Sequence, residues 1–173
     1  MRAVFSESMQ GVFILCALAA FAHAGDDIVI ERVVGPEILT RYKHPASLTE
    51  LNNGDRYLVY YGGSGEYATD TAVYGSRLPK GDKQWTRPIV IADTPFRTDG
   101  NAVVWQAPDG LVWLFYLTRY GETWSDSRIK FKISRDGSET WSDSDMLEFE
   151  KGMMVRAAPI VLANGDHNVV YQG

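Results

Sequence analysis

The chain has 173 residues, 45% of them hydrophobic and 23% charged, an ordinary globular composition that excludes disorder. Its formal net charge of −5 leaves no basic excess for a nucleic-acid partner. Aromatic residues reach 12%, with five Trp and nine Tyr, which suits strands and equally suits stacking on sugar rings.

Residues 11–21 (GVFILCALAAF) form an uncharged, largely apolar run too short to span a bilayer. Ala22-His23-Ala24 follows as a small-x-small cleavage pattern. The expectation is a signal peptide over 1–24 and a mature chain over 25–173, secreted or periplasmic, with no membrane attachment after cleavage. The only cysteine, Cys16, lies in the leader and lacks the small residue before it that a lipoprotein signal needs. The mature chain is then without disulfides, thiol catalysis or Cys-ligated zinc. Two histidines remain, His44 and His167, too few for a histidine-rich metal site. Asp26-Asp27 and Asp143-x-Asp145 are isolated pairs that read as solvated turns, so no metal and no cofactor is expected.

Three segments look alike: 50–61 (ELNNGDRYLVYY), 106–117 (QAPDGLVWLFYL) and 161–172 (VLANGDHNVVYQ). Each sets Asn-Gly or Asp-Gly between two strand-like runs, a strong hairpin signal. The turn glycines Gly54, Gly110 and Gly165 are 56 and 55 residues apart. A second element keeps the same period: in 70–85 and 127–141 an alternating strand is followed by a turn and by a Trp that opens the next strand. Trp85 and Trp141 are 56 apart. Each period therefore holds four short strands, without helical periodicity, as in a propeller blade. The first blade is predicted over 45–91 and the second over 101–147, with a third opening near Ala158. A β-sandwich would not keep so regular a period. The expected class is all-β, with about two and a half blades present.

Residues 134–141, Ser134-Arg135-Asp136-Gly137-Ser138-Glu139-Thr140-Trp141, resemble the Asp box, Ser-x-Asp-x-Gly-x-Thr-Trp, with Ser138 where the family has Gly. The earlier copy, 76–85, is degenerate and carries Lys80 in place of the Asp. Residues 43–48, 61–63 and 69–77 resemble the opening blade of bacterial sialidase-like proteins with BNR repeats, and 109–116 and 155–161 continue the likeness. The resemblance implies a six-bladed sialidase-type propeller, of which this sequence holds somewhat under half. It also implies exo-sialidase-like glycosidase chemistry: three arginines on the substrate carboxylate, an Asp acid/base, and a Tyr nucleophile paired with Glu. The chain departs from that pattern. Lys43-His44-Pro45 stands where the first arginine precedes a Pro, and Gly62-Gly63-Ser64 stands where the second would lie. Lysine keeps the charge but loses the guanidinium fork, so the substrate need not be sialic acid.

With the first strand of each blade innermost, the glycine turns share one end of the propeller axis. The Asp-box turn belongs to that end as a structural lock. The opposite mouth gathers Lys43, His44, the stretch 97–101 and Arg156 ahead of the inner strands. The first mouth loop adds Glu66 and leads to Asp70; the second carries Arg119, Tyr120, Glu122, Trp124 and Asp126. Glu66 and Asp70 are the candidate proton donors. Lys43, His44, Asn101, Arg156, Arg119 and Trp124 are the candidate substrate-binding residues. Cations, carboxylates and aromatics converging on one pocket suit an acidic sugar. Plain roles stay open, with Asp70 as a strand cap and Asn101 as a residue that orders its loop.

These features predict an exported, sialidase-like glycoside hydrolase acting on a glycan, itself the only expected partner. Two alternatives remain. One is a carbohydrate-binding propeller without catalysis, in which Trp124 and Tyr120 stack on sugar. The other is a lyase on uronate polysaccharides, in which a cation neutralises the carboxylate and a Tyr or His, His44 among them, abstracts a proton.

Overall fold

A computed structural model of the chain describes residues 30–38, 40–169 and 171–172. The predicted signal peptide lies outside the described residues. Contacts divide the chain into Met1–Glu31 and Arg32–Gly173, and every described strand belongs to the second unit. Among the described residues no helix is long and apolar enough to cross a membrane.

The first sheet is an antiparallel meander of β1 (Tyr42–Glu50), β2 (Arg56–Gly63), β3 (Ala72–Leu78) and β4 (Ile89–Ala92). The second repeats it with β5 (Thr98–Gln106), β6 (Val112–Arg119), β7 (Ser127–Ser134) and β8 (Asp145–Glu148). A third hairpin follows in two pieces. β9 (Met154–Val155) and β10 (Ile160–Val161) run out, and β11 (His167–Asn168) and β12 (Tyr171–Gln172) return. β10 pairs with β11 and β9 with β12.

The three hairpin turns are copies of one another. The amide of Leu51 donates to Asp55 O at 2.8 Å and that of Gly54 to Leu51 O at 2.7 Å. Ala107–Leu111 and Leu162–Asp166 make the same pair of bonds. Each turn needs a residue at positive φ, and Gly54, Gly110 and Gly165 supply it at 86°, 89° and 86°.

The sheets are longer than predicted at both ends, beginning at Tyr42 and Thr98, and the third hairpin begins at Met154 rather than near Ala158. The fourth strands begin later than predicted. Trp85 and Trp141 precede β4 and β8 by several residues. The residue after each Trp makes one ladder bond, Thr86 N to Arg77 O at 2.7 Å and Ser142 N to Ile133 O at 2.9 Å. Its side-chain hydroxyl then accepts from the same neighbouring strand, from Arg77 N and Ile133 N. The ladder lapses for a few residues before it resumes.

Strand alternation builds the core. Tyr57, Val59 and Tyr61 of β2 pack with Val112, Leu114 and Tyr116 of β6 between the two sheets. Phe115 and Leu117 turn the other way, toward Ile129 and Val155. Each of these apolar side chains contributes about 1.5–3 kcal/mol on leaving water. The inner strands β1 and β5 lie side by side, and Val104 N donates to Ser47 Oγ at 3.3 Å.

At the glycine end Arg77 fastens the sheets. It donates to Asp55 at 2.8 Å, to the carbonyl of Gly137, and to Glu139 at 3.2 Å. Its guanidinium lies 5.5 Å from the centre of the Tyr57 ring, which itself packs on Trp141 at 6.2 Å. In the turn 134–140 Asp136 accepts from Thr140 N at 2.9 Å, from the Thr140 hydroxyl, and from Ser134 Oγ at 2.7 Å. These bonds, those of Thr140 foremost, hold the carboxyl far below its ordinary range. A carboxyl so lowered binds protons less readily in the fold than in the unfolded chain. Its stabilisation is complete above the unfolded value near ~3.9 and is lost as pH falls below it. Asp136→Asn is expected to lower Tm at neutral pH, with the gap to the parent closing as pH falls below ~3.9 in thermal melts followed by circular dichroism.

Ser138 occupies φ 73°, and its buried hydroxyl has no partner among the described residues. Glycine avoids both costs without disturbing the bond from Ser138 N to Ser134 Oγ. Ser138→Gly is expected to raise Tm by about 3 °C, read by calorimetry.

Candidate functional site

A cavity of about 420 Å³ opens at the end opposite the glycine turns. Its wall is made where the inner strands break. β1 carries a register shift between His44 and Ala46, around Pro45. β5 carries one between Gly100 and Val103, with Asn101 at φ 42°. In the third hairpin β9 stops at Val155 and β10 starts at Ile160, so Arg156 falls in the gap. Pro45, Asn101 and Arg156 each stand nine residues before a turn glycine, the same station of the repeat. Bulges bend a strand and re-aim its side chains, and they concentrate beside functional sites. Here all three stations line the cavity. Asn is among the few residues that tolerate left-handed backbone, which suits it to position 101.

His44, Ser47, Tyr61, Glu66 and Trp124 complete the polar and aromatic lining. Nδ1 of His44 lies 3.3 Å from the Tyr61 hydroxyl and 3.3 Å from that of Tyr42. Burial, with Tyr42 and Glu66 adding to it, pushes the Tyr61 hydroxyl well above the ordinary phenol range. The proton therefore stays on the phenol. Glu66 is half-buried and accepts from Trp124 Nε1 at 3.0 Å, a bond from the first mouth loop to the second. Trp124 also packs edge-on against Tyr61, with ring centres 6.1 Å apart.

The structure gathers His44, Glu66, Asn101, Trp124 and Arg156 at one cavity and sets the other three candidates apart from it. Asp70 faces a separate depression with Thr40, Arg41 and Tyr74. It accepts from Ser64 N at 3.1 Å and Ser64 Oγ at 2.9 Å. Those bonds lower its pKa and make it a loop cap, the opposite of a poised proton donor. Lys43 neighbours His44 on the strand but lies away from the cavity, where its ammonium bonds Thr40 O. Arg119 braces the loops: it donates to Tyr67 O at 2.7 Å and Thr98 Oγ1 at 3.1 Å and lies over the Tyr67 ring at 5.2 Å.

Tyr61 is absent from the sequence-derived set. Counting back from the Gly54 turn places Gly62, not Tyr61, opposite His44. The bulge at Pro45 moves the register by one residue and pairs His44 with Tyr61. The available signal was Pro45 itself, since a proline within a strand marks an edge or a bulge.

The model of the BNR repeat-like domain matches residues 54–171. The chain belongs to the BNR repeat-like family. No curated protein matches it in sequence. Among solved structures, the Hadza microbial sialidase Hz136 aligns with TM-score 0.61 at 14% identity, over 72% of this chain and 31% of its own. A protein of unknown function from Dyadobacter fermentans aligns with TM-score 0.56 at 15% identity, over 69% of this chain and 43% of its own. The BNR chain thus has a sialidase-propeller fold and spans under half the length of either structure.

In this BNR protein Gly100 makes room for the indole. A Cβ at that position would lie 2.7 Å from Trp124 Cη2. Gly100→Ala is expected to displace Trp124 and break its bond to Glu66, at a cost of about 1–3 kcal/mol. Intrinsic fluorescence should shift to the red on this substitution, and the shift should vanish in a Trp124→Phe background.

Proposed function

We propose that this chain is part of an exported, sialidase-like glycoside hydrolase that binds an acidic glycan at the mouth cavity. The observation that carries the reading is the joint placement of Arg156, Glu66 and Trp124 on one cavity wall. No carboxylate lies within 4.0 Å of Arg156 among the described residues, so its fork is available to a substrate carboxylate. Glu66, aimed by the Trp124 indole, gives its proton to the leaving oxygen. Asn101 bonds a ring hydroxyl and Trp124 offers an apolar face. Lys43 and Arg119 act in this reading as supports of the mouth. Glu66 is the one carboxylate of the described wall, and the second catalytic group belongs to propeller blades outside the share that this chain spans. Export rests on the apolar run 11–21 and the Ala22-His23-Ala24 pattern.

One observation favours a second reading, a uronate lyase. His44 lies within 3.3 Å of the Tyr61 hydroxyl, beside Arg156 on the same cavity. There Arg156 neutralises the uronate carboxylate. His44 removes the proton next to it, and the Tyr61 hydroxyl protonates the departing oxygen, leaving a carbon–carbon double bond in the product.

The test is an assay of the full-length protein on fluorogenic sialosides, other glycosides and uronate polymers. Glu66→Gln is expected to lower kcat by about 10²–10⁴, Arg156→Gln to raise KM, and Asp70→Asn to leave both within about twofold, as for a loop cap distant from the chemistry. Undiminished hydrolysis by Glu66→Gln would sink the hydrolase reading. An ultraviolet-absorbing product that disappears in His44→Ala identifies the lyase. Saccharide binding without any turnover leaves a carbohydrate-binding propeller.

A further inference from the structure

We propose that Phe96, Arg97, Tyr120 and Arg128 form a second glycan subsite on the rim of the mouth, one that holds an anionic unit of an extended polysaccharide outside the cavity. The proposal rests on the glycan reading of the cavity, and it adds a site with its own residues and ligand chemistry.

The first observation is a misplaced aromatic. The loop 94–97 is a tight turn closed by Arg97 N donating to Thr94 O at 3.0 Å. Pro95 takes the second position and Phe96 the third, at φ 60°. A turn with proline second and a positive φ third calls for glycine or asparagine at that third position. A phenyl ring there is strained, and burial does not offset the strain, because Phe96 is 88% exposed. Strain kept without packing marks a surface role.

The second observation is a pair of ordered cations. The guanidinium carbons of Arg97 and Arg128 lie 5.3 and 6.0 Å from the centre of the Tyr120 ring. Arg97 also donates to Tyr120 O at 3.0 Å, and Arg128 to the carbonyls of Ser127 and Asp126 at 3.3 and 3.4 Å. Neither has a carboxylate within 4.0 Å among the described residues, in a chain of net charge −5. Tyr120 and the backbone carbonyls position two forks and leave N–H groups free. Guanidinium groups match the planar oxygens of carboxylate and the oxygens of sulfate, and ordering them beforehand lowers the entropy lost on binding. Phe96 supplies the apolar face on which a pyranose stacks.

Chain connectivity puts both features at the cavity's end of the sheets. Phe96 and Arg97 immediately precede β5, and Tyr120 immediately follows β6. Tyr120 opens the loop that carries Trp124 to the cavity wall. A polysaccharide whose terminal unit fills the cavity continues across this rim.

The experiment measures retention of the full chain by polygalacturonate and by chondroitin sulfate, with neutral dextran as the control and a free uronate monosaccharide as the cavity probe. The double variant Arg97→Gln/Arg128→Gln should bind one or both anionic polymers about tenfold less tightly, with monosaccharide binding unchanged. The polymer that loses more names the anion. Phe96→Gly should also weaken polymer binding while raising Tm, because glycine relieves the turn; a structural role would instead lower Tm or leave binding intact. Polymer binding that is absent in the parent, or unchanged in both variants, overturns the proposal. Loss of monosaccharide binding in Arg156→Gln, with rim-dependent polymer retention intact, keeps the two sites distinct. If no monosaccharide binds the parent at all while rim-dependent retention persists, the cavity reading fails and the rim stands.

Discussion

A strand that is fully paired along its length offers a ligand only alternate side chains at fixed spacing. The inner strands here escape that limit by breaking their ladders at one height, nine residues before each turn glycine. The break is shaped differently in each repeat: a proline bulge in β1, a left-handed asparagine in β5, and a four-residue gap between β9 and β10. The residues that the inner strands bring to the cavity stand at these breaks. Without the bulge at Pro45, His44 would face Gly62 and have no phenol beside it. Beside the left-handed Asn101, Gly100 sits against the Trp124 indole. The site is therefore a property of registered interruptions, and the strands around them serve to keep the interruptions level.

This explains which parts of the molecule were legible in the sequence. The Gly54, Gly110 and Gly165 turns announce themselves locally, since only glycine suits their φ, and their spacing alone yields the four-strand period and the order of the sheets. The mouth residues His44, Glu66, Asn101, Trp124 and Arg156 follow from knowing which strand ends share a side. What stayed hidden depends on contacts between distant segments. Lys43 and His44 are adjacent in sequence, yet strand alternation sends only one of them to the cavity. Asp70 looks like a proton donor by position, but the Ser64 amide and hydroxyl claim its carboxylate. Arg119 looks like a ligand for anions, but Tyr67 O and Thr98 Oγ1 occupy it. The start of the fourth strands was misplaced for a related reason. The residue after each Trp pairs once and then lends its hydroxyl to the neighbouring backbone, an exchange that a hydropathy pattern does not register.

The two ends of the sheet pair are held by different chemistry. At the glycine end, charge and turn geometry combine: Arg77 reaches from the first sheet to Asp55, Gly137 and Glu139, while Asp136 satisfies the amide and hydroxyl of Thr140. At the mouth the sheets meet through aromatic edges and one guanidinium, with Trp124 against both Tyr61 and Tyr67 and Arg119 donating to Tyr67 O. The glycine end lies away from the cavity and gains from rigidity. Contacts among aromatic rings tolerate small rearrangements better than a buried ion pair, whose partners lose heavily on separation.

The bond from the Trp124 indole to Glu66 crosses the seam between the two sheets, because the carboxylate belongs to one and the indole to the other. A carboxylate anchored on a single sheet would keep its aim whatever the neighbour did. This one is sighted by its neighbour, so a slip of the sheets past each other, by heat, by a core substitution or by a bound ligand, is transmitted to the direction in which Glu66 points. The joint between repeats is in that sense an adjusting screw for the cavity, and residues buried in the seam, away from the cavity itself, share in setting where the carboxylate comes to rest.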